Sequence, residues 1–222
     1  GATIVVNDIA GALDKSDVID EITTAGSKAV VVAGDVSERS TADELVETAD
    51  GLGGLSIVVN NAGITRDRML FNMSDEDWDT VIAIHLRGHF LLTRNAATYW
   101  RAKAKDAEGS QKGQVYGRII NTSSEAGLAG PVGQANYGAA KAGITALTLT
   151  AARALERYGV RANAIAPRAR TAMTADVFGE SPELAGGQID PLSPEHVVNL
   201  VRFLASPASR DVNGQLFIVY GP

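Results

Sequence analysis

Short runs of apolar, mostly β-branched residues recur along this sequence and alternate with longer segments of helical spacing. The first run, residues 3–8 (TIVVND), is continuous and ends in two polar residues. Such a run is typical of a strand that is buried on both faces, as in a parallel sheet. Strands that alternate with helices in this way predict an α/β fold. The predicted strands span residues 3–8, 29–33, 56–59, 117–122, 160–167 and 215–219.

The segments between these strands carry helix signals. Ser74 precedes three acidic residues, an arrangement that caps a helix and suits its dipole. Residues 79–100 and 136–158 predict two long helices, and Ser193-Pro194 predicts the start of another. Residues 101–117 are polar and contain glycine, so we expect a frayed helix end and an exposed loop there.

Composition excludes several classes of protein. The 222 residues suit one domain with a sizeable core, spanning residues 1–222. No apolar run approaches the ~18–20 residues that cross a bilayer. The net charge of −6, without a Lys/Arg-rich run, argues against a nucleic-acid partner. The chain has no cysteine, and its three histidines lack metal-site spacing. We therefore expect a cytoplasmic protein with no metal site and no membrane partner.

One stretch combines side chains that are suited to acid–base chemistry. Ser124 follows a predicted strand, and Tyr137 and Lys141 follow at the start of the second long helix. Because Tyr137 and Lys141 are four residues apart, they lie on one face of that helix. An ammonium beside a phenol favours the phenolate, so we expect Lys141 to lower the pKa of Tyr137 from its ordinary ~10. With Ser124 donating to the same substrate oxygen, these groups predict a site that protonates or deprotonates an alcohol or a carbonyl.

Each of these residues also has a purely structural interpretation. A Tyr-x-x-x-Lys pair is common on helices, and a serine between a strand and a helix usually caps the helix. In a dinucleotide-binding fold, Asp8 at a strand end would accept hydrogen bonds from the adenosine ribose and repel a 2′-phosphate; otherwise it is a loop or cap residue. The combination of Ser124, a glycine-rich connector, Tyr137 and Lys141 favours chemistry over these alternatives.

This combination resembles the active-site segment of the short-chain dehydrogenase/reductase family, in which the catalytic serine stands thirteen residues before the tyrosine, as Ser124 does here. The resemblance extends over residues 3–219 and includes the Asn-Asn-Ala-Gly segment at 60–63. It implies a Rossmann-like, doubly wound parallel sheet in three layers. In the family a first strand and a glycine-rich turn precede the segment that residues 3–8 match, so we expect both to lie upstream of Gly1 in the native protein.

The family's pattern assigns roles to residues of this chain. It implies that Ser124, Tyr137 and Lys141 are catalytic and that Lys141 also binds the nicotinamide ribose. Residues 168–193, which show no sustained period, correspond to the lid over the substrate. The implied NAD-binding residues are Asp8, Asp35, Val36, Asn60, Ala62, Gly63, Tyr137, Lys141, Pro167 and Thr171.

Two positions depart from the family's pattern. His85 stands where the family usually has the asparagine of a proton relay, and it is a further candidate catalytic residue. A relay water held by the main-chain carbonyl would survive this change, and His85 can equally be a satisfied core histidine. Arg168 replaces the glycine that usually follows Pro167.

Within the family, segments 7–8, 63–68, 74–78, 85–88 and 133–137 are similar to the (3R)-hydroxyacyl-CoA dehydrogenase branch, which occurs in peroxisomal multifunctional enzymes and in bacterial stand-alone relatives. This similarity implies an acyl-CoA or a hydroxysteroid as substrate, and hence a place in lipid or steroid metabolism. NAD is the expected cofactor, because Asp8 would repel the 2′-phosphate of NADP. The alternatives are a β-ketoacyl carrier-protein reductase that uses NADPH, against which Asp8 argues, and a non-catalytic dinucleotide-binding partner protein. In the family the two long helices pair across a two-fold axis, so we expect a homodimer or homotetramer.

Overall fold

The computed structural model describes residues 2–107, 114–171, 173–174, 178–179 and 189–221. All the predicted strands are present there, and their ends lie within one residue of the prediction. They are β1 (Thr3–Asp8), β2 (Lys28–Ala33), β3 (Ile57–Asn60), β4 (Gly117–Thr122), β5 (Val160–Pro167) and β6 (Leu216–Val219).

Helices occupy the segments between the strands. As predicted, the Ser74 hydroxyl caps a helix by accepting from the Asp77 amide at 3.0 Å, and Ser193 caps a helix that begins at Pro194. The α-helices are α1 (Ala10–Leu13), α2 (Val18–Thr24), α3 (Arg39–Gly51), α4 (Asp75–Ile82), α5 (Gly88–Ala107), α6 (Ala126–Ala129), α7 (Ala135–Leu155) and α8 (Pro194–Leu204). A π-helical turn, Ala83–Arg87, joins α4 to α5, and 3₁₀ turns span Leu70–Asn72, Glu156–Tyr158 and Pro207–Ser209.

The end of α5 corrects one expectation. The helix continues to Ala107, where a frayed end and a loop were predicted, and residues 108–113 lie outside the described part of the chain. Its last turns are held because Trp100 and Ala104, four residues apart, are both buried in the core. The Trp100 indole also donates to the Leu55 carbonyl at 2.7 Å. The burial of this apolar face therefore keeps the segment helical in spite of the polar residues around it.

The strands form two parallel sheets, β1–β2 and β3–β4–β5–β6. Parallel pairing follows from the helices that connect successive strands and return the chain to the same end of the sheet. In the part of the chain that the structure describes, β1 pairs only with β2, and β3 pairs only with β4. Each of these two strands therefore keeps one edge without a strand partner. The carboxyl ends of the strands, where open α/β sheets bind ligands, carry the predicted site residues.

Helices cover both faces of the four-stranded sheet. Ile119 of β4 packs with Trp100 and Leu155 in the core formed with α5 and α7. The next residue, Ile120, points to the opposite face and packs with Leu204 of α8. The resulting three layers confirm the predicted Rossmann-like, doubly wound α/β fold. Among the described residues, no helix has both the length and the apolar character needed to cross a membrane.

Candidate active site

Ser123 and Ser124 follow the end of β4 and have different surroundings. Ser123 is buried; its amide donates to the Ile165 carbonyl at 2.7 Å, and its hydroxyl donates to the Lys141 carbonyl at 2.9 Å. Ser124 is half-buried, and its hydroxyl accepts from the Ala126 amide at 3.1 Å. Ser123 is thus an anchor between the sheet and α7, whereas the Ser124 hydroxyl lies at the predicted site.

The structure brings Tyr137, Lys141 and Ser124 together as predicted. The Ser124 hydroxyl lies near enough to the Tyr137 phenol to lower the pKa of the phenol. Lys141 lies one turn along α7, and its Nζ is 5.3 Å from the centre of the Tyr137 ring. The Lys141 side chain is only 2% exposed, and its Nζ donates to the Thr122 carbonyl at 2.6 Å. The phenol, the hydroxyl and the ammonium therefore face one small region at the carboxyl end of β4.

The electrostatics of Tyr137 differ from the sequence-based expectation. Burial raises the pKa of the phenol; the hydrogen bond with Ser124 opposes this shift, and the charge on Asp67 adds to it. Burial also lowers the pKa of Lys141 to about 7, because an ammonium loses its hydration there. Lys141 is therefore only partly charged at neutral pH. The expected lowering of the Tyr137 pKa is wrong, because burial raises it instead.

Asn136, which the sequence did not single out, fixes the start of α7. It is completely buried, and its Nδ2 donates to the carbonyls of Arg66 and Asp77, each at 3.0 Å. Its Oδ1 accepts from the Tyr137 amide at 2.7 Å. Asn136 thereby ties the residue that carries the phenol to α4 and to the loop after β3. An asparagine before a tyrosine gives no sequence signal of this role, because its partners lie far away in the chain.

His85 lies against Tyr137, in the π-helical turn. The two rings meet edge to face with centroids 5.2 Å apart, and His85 is 1% exposed. Its Nε2 is 3.0 Å from the Ile64 amide nitrogen and 2.7 Å from the Ile64 carbonyl oxygen. Burial lowers the pKa of His85 to about 4, and the charge on Lys141 acts in the same direction. His85 is therefore neutral in ordinary buffers and holds the loop after β3.

Gly63 allows this contact. A Cβ at Gly63 would stand 2.2 Å from Cε1 of His85, closer than any side chain tolerates. The small residue that the sequence assigned to cofactor binding therefore also makes room for the histidine. Ala62, the other small residue of the segment, is exposed at the carboxyl end of β3.

The residues predicted to hold the adenosine lie at the ends of β1 and β2. Asp8 is exposed, and its Oδ1 accepts from the Ile9 amide at 2.8 Å, which leaves Oδ2 as an acceptor. Asp35 is also exposed, and its Oδ1 accepts from the Ser37 amide at 2.8 Å. Val36 packs so closely on Gly88 that a Cβ there would be 2.9 Å from a Val36 methyl carbon. Val36, one of the residues predicted to hold the adenosine, thus packs against the start of α5.

The remaining residues predicted to bind the cofactor, Asn60, Pro167 and Thr171, differ in burial and in contacts. The Asn60 side chain is buried and donates to Asn121 Oδ1 at 2.9 Å, so it belongs to the core and leaves only its main chain for a ligand. Pro167 is half-buried at the end of β5, and Thr171 is exposed in a turn with Thr174. Of the predicted lid at 168–193, residues 172, 175–177 and 180–188 lie outside the described part of the chain.

The residues present fit a nicotinamide dinucleotide. An ammonium has three donors, and among the described residues Lys141 uses one of them, so donors remain for ribose hydroxyls. At the other end, Asp8 keeps a carboxylate oxygen that can accept from ribose hydroxyls. Between them, the exposed Ala62 leaves the carboxyl end of β3 open to a ligand.

Comparison with known proteins gives a consistent result. The family description "short chain dehydrogenase" matches residues 1–181. The hydroxyacyl-CoA dehydrogenase ChsB1 of Mycobacterium tuberculosis is 76% identical over 226 residues, covering 100% of this chain and 70% of that protein. The mouse peroxisomal multifunctional enzyme type 2 is 40% identical over 230 residues, covering 99% of this chain and 28% of that protein.

A solved structure shows the same fold. The crystal structure of a short chain dehydrogenase from Mycobacterium avium superposes with a TM-score of 0.85 at 48% identity, covering 100% of this chain and 75% of that one. The family match covers most of the chain and includes Ser124, Tyr137 and Lys141. The chain therefore belongs to the short-chain dehydrogenase family, whose members are oxidoreductases that bind a nicotinamide dinucleotide.

Proposed function

We propose that residues 1–222 form one dinucleotide-binding domain of an NAD-dependent dehydrogenase. Its substrate is the hydroxyl or ketone of a 3-hydroxyacyl-CoA or of a hydroxysteroid-type compound. The observation that carries this proposal is the meeting of the Ser124 hydroxyl, the Tyr137 phenol and the buried Lys141 ammonium at the carboxyl end of β4.

Each of these three side chains has a separate role in proton transfer. Ser124 donates a hydrogen bond to the substrate oxygen and fixes its place beside the phenol. Tyr137 takes the hydroxyl proton during oxidation and returns it during reduction. Lys141 holds ribose hydroxyls and, when protonated, stabilises the phenolate. Bound NAD supplies the acceptor for the hydride. His85 keeps the Ile64 loop in place and stays neutral.

The substrate class is supported by exposed apolar residues in the chain segments next to the site residues, and by the relatives. The segment between Ser124 and Tyr137 exposes Leu128 and Val132, at 61% and 82%, and Met173 beyond β5 is 47% exposed. Apolar side chains left in water beside a site suit an acyl chain or a steroid nucleus. ChsB1, which is 76% identical, is named a hydroxyacyl-CoA dehydrogenase.

The preference for NAD over NADP is supported by Asp8. Its carboxylate ends β1, where the adenosine ribose would lie, and a 2′-phosphate there would meet like charge. The next four residues, from Ile9 to Ala12, include no lysine or arginine that would offset the repulsion. We therefore expect a preference of a few kcal/mol for NAD, since a like-charge contact near a protein surface is only partly screened.

The experiment is a steady-state assay of the whole enzyme with a 3-hydroxyacyl-CoA and with a hydroxysteroid, each with NAD and with NADP. Turnover with NAD, and a loss of about a thousandfold in kcat for Tyr137→Phe, are expected because the ring remains and the proton carrier is gone. Asp8→Ala should narrow the margin between the cofactors, mainly by improving kcat/KM with NADP.

Other outcomes would point elsewhere. Near-native turnover of Tyr137→Phe would remove the role assigned to that residue. Equal or better kcat/KM with NADP, together with reduction of a β-ketoacyl carrier-protein substrate, would favour the carrier-protein reductase. Dinucleotide binding without turnover of any of these substrates would favour a non-catalytic protein.

A further inference from the structure

An ion pair joins the residue after Ser124 to the residue after Pro167. Arg168 donates from Nε and Nη2 to the two carboxylate oxygens of Glu125, with an Nη2–Oε1 distance of 2.6 Å. A bidentate contact of this kind fixes the relative orientation of the two side chains as well as their distance. We refer to these two side chains as the Glu125–Arg168 pair.

Arg168 is held on its other side by the end of β6. Its main-chain amide donates to the Val219 carbonyl at 2.9 Å. Its guanidinium lies over the Tyr220 ring, 5.0 Å from the ring centroid. The pair therefore connects the segment after β4 to a position that β5 and β6 define together.

Ser124 lies between this pair and a second anchor. On the side of β4, Ser123 bonds the Ile165 and Lys141 carbonyls through its amide and its hydroxyl. On the other side, the Glu125 carbonyl accepts from the Leu128 and Ala129 amides, each at 2.9 Å, so that Glu125 caps α6. Hydrogen bonds of Ser123 and Glu125 thus fix the main chain on both sides of Ser124. The Glu125 side chain adds the contact with Arg168 at the end of β5.

We propose that the Glu125–Arg168 pair positions Ser124 for the reaction. This inference rests on the proposed function, because it concerns the aim of the Ser124 hydroxyl at the substrate oxygen. Loss of the pair frees the segment after β4 to move relative to the end of β5. A misplacement of about one ångström at a reacting group is enough to lower the rate strongly. Glu125 and Arg168 act through Ser124 and are positioning residues.

Arg168 has a competing role to consider, which is to receive the phosphates of a CoA substrate. The contacts argue against it, because Nε and Nη2 are already used by Glu125. The Glu125 carboxylate also cancels the charge of Arg168 and would repel a phosphate at the same place. The two roles give different results with a substrate that carries no phosphate.

The test is a mutant cycle in the whole enzyme with a 3-hydroxyacyl-CoA and with a hydroxysteroid. Glu125→Gln and Arg168→Gln should each lower kcat by about tenfold with both substrates and leave the KM for NAD unchanged. In a Ser124→Ala background, Glu125→Gln should change kcat by less than about twofold, because the group that it positions is already gone. Glu125→Asp, which keeps the charge, should fall between wild type and Glu125→Gln.

The control is Asp211→Asn, which breaks the exposed Arg210–Asp211 pair (3.3 Å) and should leave kcat unchanged. Unchanged kcat in Glu125→Gln, or equal losses with and without Ser124, would overturn the inference. A loss seen only with the CoA substrate would assign Arg168 to phosphate binding instead. If wild type and the control were themselves inactive on these substrates, the proposed function would fail instead.

Discussion

At the scale of single residues, His85 occupies the position where the family usually has an asparagine, and it contacts the main chain of Ile64 through one ring nitrogen. Its Nε2 lies within hydrogen-bonding distance of both the amide and the carbonyl of Ile64. A neutral imidazole nitrogen is either a donor or an acceptor, so only one of these two contacts is made at a time. An asparagine amide carries both a donor and an acceptor, and it can satisfy both groups of Ile64.

We therefore expect His85→Asn to be tolerated, with kcat/KM within about threefold of wild type. His85→Ala leaves the Ile64 groups without a partner and a cavity beside Tyr137, so it should cost at least about tenfold. Both values come from steady-state kinetics with NAD. A loss above about a hundredfold for His85→Asn, near 2.7 kcal/mol of barrier, would show that the imidazole itself takes part.

The candidate catalytic residues were predictable where local spacing decides geometry. Tyr137 and Lys141 share a face because they are four residues apart on a helix, and this holds wherever the helix lies. Asn136 was not predictable, since its partners at Arg66 and Asp77 meet it only in the folded chain. The predicted direction of the Tyr137 pKa shift was wrong for the same reason. Burial of the phenol and of Lys141 depends on packing that spacing does not reveal.

At the scale of secondary-structure elements, α6 sits unusually close to α7. A Cβ on Gly127 would stand 2.5 Å from the Ala142 amide nitrogen and 2.8 Å from the Lys141 carbonyl carbon. Both are backbone atoms of a long helix, so they cannot turn aside as the end of a side chain can. The position of α6, and of the segment that carries Ser124, therefore depends on Gly127 having no side chain.

Gly127→Ala should therefore push α6 away from α7, lowering the free energy of unfolding by roughly 1–3 kcal/mol, as overpacking does. It should also reduce kcat, since Ser124 moves with α6. Gly11→Ala is the matched control, because no atom of the described residues lies within 4 Å of a Cβ at Gly11. Urea unfolding and steady-state assays measure both effects. Equal stability of the two variants would show that α6 can shift at no cost.

The helical segment from α4 through the π turn to α5 buries two histidines, His85 and His89, at 1% and 2% exposure. Burial lowers the pKa of His85 to about 4 and that of His89 to about 3, and the charge on Lys141 lowers both further. In the unfolded chain a histidine titrates near ~6.5. Below that pH the unfolded state binds more protons than the folded state, so acid destabilises the fold.

The stability that the two histidines contribute should thus be fully present above pH ~6.5, and it should be lost on acidification by up to about 1.4 kcal/mol per pH unit for each histidine. His89→Leu fills a similar volume and removes one of the two groups. We expect the slope between pH 6.5 and 5 to be about half that of wild type in urea unfolding. An unchanged slope in His89→Leu would mean that His89 is already protonated in the folded protein.

The strands β1, β2, β3 and β6 were predicted to within one residue because each contains a short apolar run next to polar residues, whereas β4 and β5 also carry polar residues within the strand. Several short elements, α1 and α6 among them, escaped prediction. The helix α6 has only four residues, and the π turn at Ala83–Arg87 has the composition of the helices around it. For the end of α5 a frayed helix end and a loop were predicted, because its buried positions, Trp100 and Ala104, are separated by polar residues.

At the scale of the whole molecule, α7 leaves a face of small side chains in water. Ala139, Ala142, Ala146 and Thr150 are exposed and recur at helical spacing, opposite the buried Ile144 and Thr148. Small residues allow two helices to approach closely. This face is where we expect a second copy of the chain to pack, as the predicted homodimer or homotetramer requires.

Light scattering of the wild-type enzyme at micromolar concentration should therefore give a dimer or tetramer. Ala146→Arg should dissociate it, because a long charged side chain cannot be accommodated between closely packed helices. Ala208→Arg, at an exposed position in the 3₁₀ turn Pro207–Ser209, is the matched control and should leave the mass unchanged. A monomeric wild type would exclude the predicted association.

The unpartnered edges of β1 and β3 have a practical consequence for handling the polypeptide. An open strand edge offers unsatisfied amide and carbonyl groups to other chains, and natural sheets usually protect it with charge, proline or a bulge. The four residues of β3, Ile57–Asn60, include neither charge nor proline, and Ile57 and Val59 are 37% and 46% exposed. A polypeptide limited to residues 1–222 is therefore expected to aggregate through these edges unless another strand covers them. Solubility during expression would then be a more direct measure than activity of whether another strand pairs with these edges.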